Sequence, residues 1–173
     1  METYWPGLIA SAEFSWAAGK RSLPEYETAY FQRSFGPESA EDVDLYRQLY
    51  QISKLWRHLL KDLDLPDLTN PGNWSNTHKD RLEKAEQAVE MYQQTSQQLA
   101  DLSKKARRNR YHLELLTAIS DFQITSPRLI LTLAQCDTDD KTERDAGLKA
   151  VQTALDEYEM AWKKLQKVYA RRR

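Results

Sequence analysis

The sequence predicts an all-α fold, a helical bundle of three to four long helices with shorter helices near the N-terminus. Apolar residues recur at intervals of three and four along most of the 173 positions, which is the period of an amphipathic helix. No segment shows the sustained apolar-polar alternation with β-branched enrichment that is typical of strands. Turn-forming residues concentrate in one stretch, residues 63–75, so most of the chain is available for long helices.

Two short helices are predicted near the N-terminus. Pro6 suits the first turn of a helix that runs to Trp16 and stops at Gly19. Ser22 and Glu25 have the spacing of a capping box, in which each side chain binds the backbone amide of the other residue. A second helix is therefore expected to begin just after this serine.

Two long helices follow. The first is predicted by an apolar stripe at 4-3 spacing and has Ser39 or the acidic pair 41–42 at its N-terminus; its stripe consists of Leu45, Leu49, Ile52, Trp56, Leu59 and Leu63. The next begins at Ser75 or Thr77, and its seam consists of Leu82, Ala85, Val89, Tyr92, Ser96 and Leu99. This seam is thin, because it contains an alanine and a serine, so a partner helix could approach it closely.

The middle of the chain allows two interpretations. After Leu102 the helical phase is lost across residues 103–109, which indicates either a break or one long helix whose buried face rotates; we favour the break. Pro127 predicts a kink or a restart, since the residue before a proline avoids helical geometry. A further helix is expected over residues 129–134, and the acidic stretch 137–140 is expected to cap the last helix.

The last helix is predicted over residues 141–170. Its apolar face follows 3-4 spacing and consists of Leu148, Val151, Leu155, Tyr158, Trp162, Leu165 and Tyr169. Charged residues occupy the opposite face. We therefore expect this stripe in the core, together with the aromatic residues Trp56 and Tyr92.

Composition excludes several classes of protein. The formal net charge of −1 argues against a dedicated nucleic-acid or membrane-surface protein, and no apolar run approaches the length of a bilayer span. The five glycines are too far apart for a phosphate-binding loop, and the single cysteine cannot form an intramolecular disulfide. We expect neither a nucleic-acid nor a membrane partner. The compartment stays open, with a slight preference for the cytoplasm.

No residue of this chain is predicted to be catalytic, cofactor-binding or metal-ligating. The densest basic cluster is interpreted as a solvated helix end, and it consists of Lys104, Lys105, Arg107, Arg108 and Arg110. His58, His78 and His112 lack the spacing of metal ligands. The acidic run 137–143 lacks the glycine and the length of a calcium loop, and Cys136 resembles a small buried apolar residue.

The N-terminal segment carries a more specific pattern. Residues 4–16, YWPGLIASAEFSW, begin with an aromatic-Pro pair and end with Ala-Glu-x-x-Trp. This pattern resembles the helix that closes the (β/α)₈ catalytic barrel of family 20 glycoside hydrolases, the β-N-acetylhexosaminidases. Residues 20–26 fit the tail that follows that helix, whereas Gly7 stands where the family usually has arginine.

The resemblance implies two units: residues 1–36, with the final helix of a glycosidase barrel, and residues 37–173, a helical bundle. The family's catalytic Asp-Glu pair would lie upstream, so none of it maps onto this chain, and Glu13 would be structural. The implied function is that of a non-catalytic C-terminal domain of a glycoside hydrolase, with a scaffolding or dimerisation role. Its implied partners are the upstream catalytic barrel and a second copy in a homodimer. The helix's apolar face is predicted to pack on the bundle or on another chain; it consists of Trp5, Leu8, Ile9, Ala12 and Trp16.

Two alternatives remain open at this point. The first is a free-standing helical module that binds a protein partner through the thin Ala/Ser seam or through the aromatic N-terminus. The second is a small helical enzyme or nucleic-acid binder that uses the basic cluster at 104–110.

Overall fold

A computed structural model describes residues 5–16 and 20–171, without the side chains of residues 5–7 and 16. Within these residues every regular element is a helix, so the all-α prediction is confirmed. The α-helices are α1 (Trp5–Trp16), α2 (Leu23–Phe35), α3 (Asp44–Leu60), α4 (Asn73–Thr77), α5 (Lys79–Lys105), α6 (Arg110–Gln123), α7 (Thr125–Ala134) and α8 (Lys141–Ala170). A 3₁₀ helix, Pro37–Asp42, joins α2 to α3. Gly19, the expected stop of α1, lies outside the described residues.

Several predicted boundaries are confirmed. Helix α8 has the expected bounds, and the chain breaks between α5 and α6 rather than continuing as one helix. The Ser22–Glu25 capping box forms at the start of α2, and the helix ends at Gly36, whose φ of 126° is accessible mainly to glycine. The restart expected near Pro127 is observed, but α7 begins at Thr125 instead of residue 129, so Ser126, before the proline, is helical after all. Pro127 lies in the first turn of α7, where its missing N–H has no partner to lose.

Two further predicted helix starts are wrong, those of α3 and α5. Helix α3 begins at Asp44, because the residues before it form the 3₁₀ helix; the hydroxyl of Ser39 donates to the carbonyls of Phe31 and Gly36 instead of capping α3. Its stripe also ends early, since Leu63 lies beyond the helix. The second long helix, α5, begins at Lys79 instead of Ser75 or Thr77, after the separate short helix α4.

The core consists of two large clusters around α5. One joins α2 to α3, α5 and α6 through Phe31, Phe35, Leu45, Leu99 and Leu113. Because the two phenylalanines of α2 belong to this cluster, the boundary proposed at residue 36 lies inside a continuous apolar region. The other joins α3 and α4 to α5 and α7 through Ile52, Trp74, Ala88, Tyr92 and Ile130.

Helix α5 is therefore central, and its seam is already occupied. It packs against α3, α6 and α7. Ala85 and Ala88 are completely buried, which lets the neighbouring helices approach closely. The thin seam is thus part of the chain's own core, and it is not a surface for a partner helix.

Gly147 marks the closest approach of α8 to the turn that precedes it. A Cβ atom added there would lie 2.9 Å from the carbonyl oxygen of Gln135 and 3.1 Å from the amide nitrogen of Cys136. Both atoms belong to the backbone, so they cannot rotate away as a flexible side chain could. Glycine is required at this point because the helix and the turn touch.

We expect Gly147→Ala to lower the free energy of unfolding by about 1–2 kcal/mol, because overpacking outweighs the gain in helix propensity of about 1 kcal/mol. Urea unfolding followed by circular dichroism measures this difference. Ala146, the exposed neighbour, provides the reverse control: Ala146→Gly should lower the free energy of unfolding only by the difference in helix propensity. A Gly147→Ala protein more stable than wild type would contradict the close contact.

Asp42, at the end of the 3₁₀ helix, is a partly buried acid. Its Oδ2 atom has no hydrogen-bond partner among the described residues, and burial raises the pKa of its carboxyl, an effect that Lys105 partly offsets. A raised pKa means that the folded state holds the proton more tightly than the unfolded state does. Ionised Asp42 therefore lowers the free energy of unfolding. This effect grows as the pH rises above 3.8, the ordinary pKa of an aspartate carboxyl.

We expect Asp42→Asn to increase stability near neutral pH and to have little effect well below the ordinary aspartate pKa. Urea unfolding at the two pH values measures the difference, with Asp139→Asn as an exposed control. An equal change at both pH values would show that ionisation is not the cause.

Candidate interaction surface

Helix α8 packs on α6 and α7 through its smallest residues. The positions that face the bundle recur every seven residues, and they are Gly147, Ala154, Ala161 and Val168. Gly147, Ala154 and Val168 are buried, and Val168 joins Leu115 and Ala118 of α6 in a third apolar cluster. Small residues at this contact bring the axis of α8 close to its neighbours.

The large apolar residues of α8 are correspondingly displaced toward solvent. Four of them also recur every seven residues and remain about half exposed: Leu148 (45%), Leu155 (44%), Trp162 (44%) and Tyr169 (54%). The prediction that this stripe is buried is therefore wrong in part, and Tyr158 is likewise 38% exposed. We refer to the four heptad residues as the α8 stripe.

An aromatic cluster lies at the centre of the α8 stripe. The ring of Phe122, on α6, lies 5.3 Å from that of Trp162 and 4.9 Å from that of Tyr158, in tilted arrangements. Such pairs stabilise each other beyond the area they bury. The indole of Trp162 is thus supported from behind while it remains open to solvent in front.

The two ends of α8 are stabilised in different ways. At the N-terminus the carboxylate of Asp140 accepts hydrogen bonds from the amides of Thr142 and Glu143, which lowers the pKa of Asp140. Toward the C-terminus, Lys164 binds Asp121 at 2.6 Å and Arg171 binds Glu114 at 3.2 Å, both on α6. The cap stabilises the first turn of α8, and the two ion pairs connect its C-terminal part to α6.

The expected capping role of the acidic stretch 137–140 is divided between two helices. Asp140 caps α8, whereas Asp137 caps α4: its Oδ1 accepts from the amide of Gly72 at 2.8 Å and its Oδ2 from that of Ser75 at 2.7 Å. These carboxylates are structural. No group of three or more His, Cys, Asp or Glu side chains in the described part of the chain could hold a metal ion.

A second apolar area lies on α1, where Leu8 is 57% and Ile9 is 41% exposed. Helix α1 contacts α2 through Phe14, whose ring lies 5.6 Å from that of Tyr26, and Glu13 binds Arg21 at 2.6 Å. This face was predicted to pack on the bundle or on another chain; at Leu8 and Ile9 it does not pack on the bundle, and packing on another chain stays a prediction. Trp5 and Trp16, predicted for the same face, have side chains outside the described set.

The basic cluster at the α5–α6 corner makes structural contacts. Lys104 binds Asp101 at 2.9 Å, Arg107 pairs with Glu38, and Arg110 donates to the carbonyl of Ala106. Its side chains are exposed and face several directions. The cluster is the helix end that we expected.

The histidines lie apart, and only two of them share a cleft. His58 and His78 line a cavity of about 380 Å³ at the start of α5, where His78 Nε2 lies 2.7 Å from Asp64. Three basic and two acidic side chains line this cavity, so its charge is mixed and points to no particular ligand. Cys136 is buried beside the carbonyl of Thr132, and burial raises the pKa of its thiol.

Comparisons of the chain with protein-family models, curated proteins and solved structures found no match. Among the described helices, none is long and apolar enough to cross a lipid bilayer. Function is therefore inferred from the surface of the molecule itself.

The α8 stripe is the feature that sequence reasoning assigned to the wrong environment. Its residues were identified, but they were placed in the core. The signal that distinguishes them is the second heptad series of small residues one position earlier, which marks the true contact face.

Proposed function

We propose that this chain is a non-catalytic helical interaction domain that binds another protein through the α8 stripe. The observation that carries the proposal is the exposure of four large apolar residues on one line of a well-anchored helix. Contiguous apolar surface of this kind is typical of protein-protein contact sites. Trp162 and Tyr158 are aromatic residues of the type that dominates binding energy at such sites.

The heptad spacing specifies the kind of partner. A coiled-coil seam carries two apolar positions in each heptad. The α8 stripe supplies one of them, and Val151, Tyr158 and Leu165 supply the other. The series from Leu148 to Tyr169 extends over about 32 Å at 1.5 Å per residue, so we expect a helix of three heptads as the contacting element.

A benzophenone amino acid placed at position 155, in cells that produce the protein, tests this function directly. We expect illumination to give a discrete protein adduct from position 155, whose composition mass spectrometry identifies. The matched control is position 149, which is also exposed but lies on the charged face of α8. Equal labelling from the two positions would contradict the proposal.

The second candidate function is that this interaction domain belongs to a longer protein, in which it follows the catalytic barrel of a β-N-acetylhexosaminidase-like glycoside hydrolase. The motif at residues 4–16 supports it, together with the exposed Leu8 and Ile9 of α1, which offer an apolar face to a neighbouring domain. The ion pair of Glu13 with Arg21 is in keeping with a structural glutamate.

Hydrolysis of a chromogenic N-acetylglucosaminide tests this parentage, with this chain assayed beside the product of its complete gene. We expect activity only in a longer product. A complete gene product without activity would remove the glycosidase assignment and would leave the interaction domain unaffected.

A further inference from the structure

We draw no further inference here: the strongest candidate, the half-exposed apolar patch that the α8 stripe forms with Tyr158, belongs to the site already described, and nothing in the structure shows what covers it.

Discussion

Tyr92→Ala is expected to lower the free energy of unfolding by about 3–5 kcal/mol, the largest effect of any single substitution considered for this chain. Tyr92, on α5, is completely buried against α3 and α7, in the cluster that contains Ile52 and Ile130. Its ring is among the largest fully buried groups, so alanine would leave a cavity that the surrounding helices cannot fill. Urea unfolding at neutral pH measures the loss.

Tyr92→Phe separates the ring from the hydroxyl. The hydroxyl lies 3.2 Å from Oε1 of Gln123, to which it donates, and this variant should cost only about 1 kcal/mol. Burial raises the pKa of Tyr92 far above that of an exposed tyrosine, so the hydroxyl stays a donor throughout the accessible pH range. Equal losses in the two variants would mean that the hydrogen bond, and not the packing of the ring, holds the site together.

Asp137→Ala is expected to cost about 2–3 kcal/mol, because two charge-assisted hydrogen bonds to backbone amides are lost together. Asp137 is only 8% exposed, and the amides of Gly72 and Ser75 would be left without their acceptor. The effect should concentrate on the loop and the short helix α4. Thermal unfolding gives the total loss, and amide exchange at Ser75 gives its location.

Asp139→Ala is the matched control, since this neighbouring carboxylate is exposed and should contribute less than about 0.5 kcal/mol. The loss of stability in Asp137→Asn should fall between those of Asp137→Ala and Asp139→Ala, because a side-chain amide has one acceptor oxygen where a carboxylate has two. Fast exchange at Ser75 in wild-type protein would contradict the cap.

The contrast between α8 and α4 shows how far sequence could predict this fold. The bounds of α8 follow from periodicity alone, because a 30-residue amphipathic pattern is unambiguous about helix and period. Periodicity does not say which of two adjacent heptad lines touches the bundle. In the structure the line with the small residues Gly147 and Ala154 contacts the bundle, because small side chains allow the helices to approach closely. The adjacent line of large residues is therefore exposed to solvent.

The capping of α4 could not be predicted from local sequence. Asp137 lies 62 residues after Ser75, and a contact across such a separation leaves no spacing signature. By contrast, the Ser22–Glu25 box was predictable because both of its hydrogen bonds are local. The candidate interaction surface falls between these cases: its residues were visible in the sequence, but their exposure depends on the packing of α6 and α7.

The corner between α5 and α6 has a consequence for the order in which the chain folds. There the amide of Arg107 donates to the carbonyl of Phe35, and the side-chain amide of Asn109 donates to the carbonyl of Ser34, across more than seventy residues. Helices α5 to α8 can pair through short connections, whereas docking of α2 must close this long loop and bear its entropy. Folding is therefore expected to proceed from the C-terminal helices toward α2, and refolding followed by hydrogen-exchange labelling should find the Arg107 amide among the last to be protected.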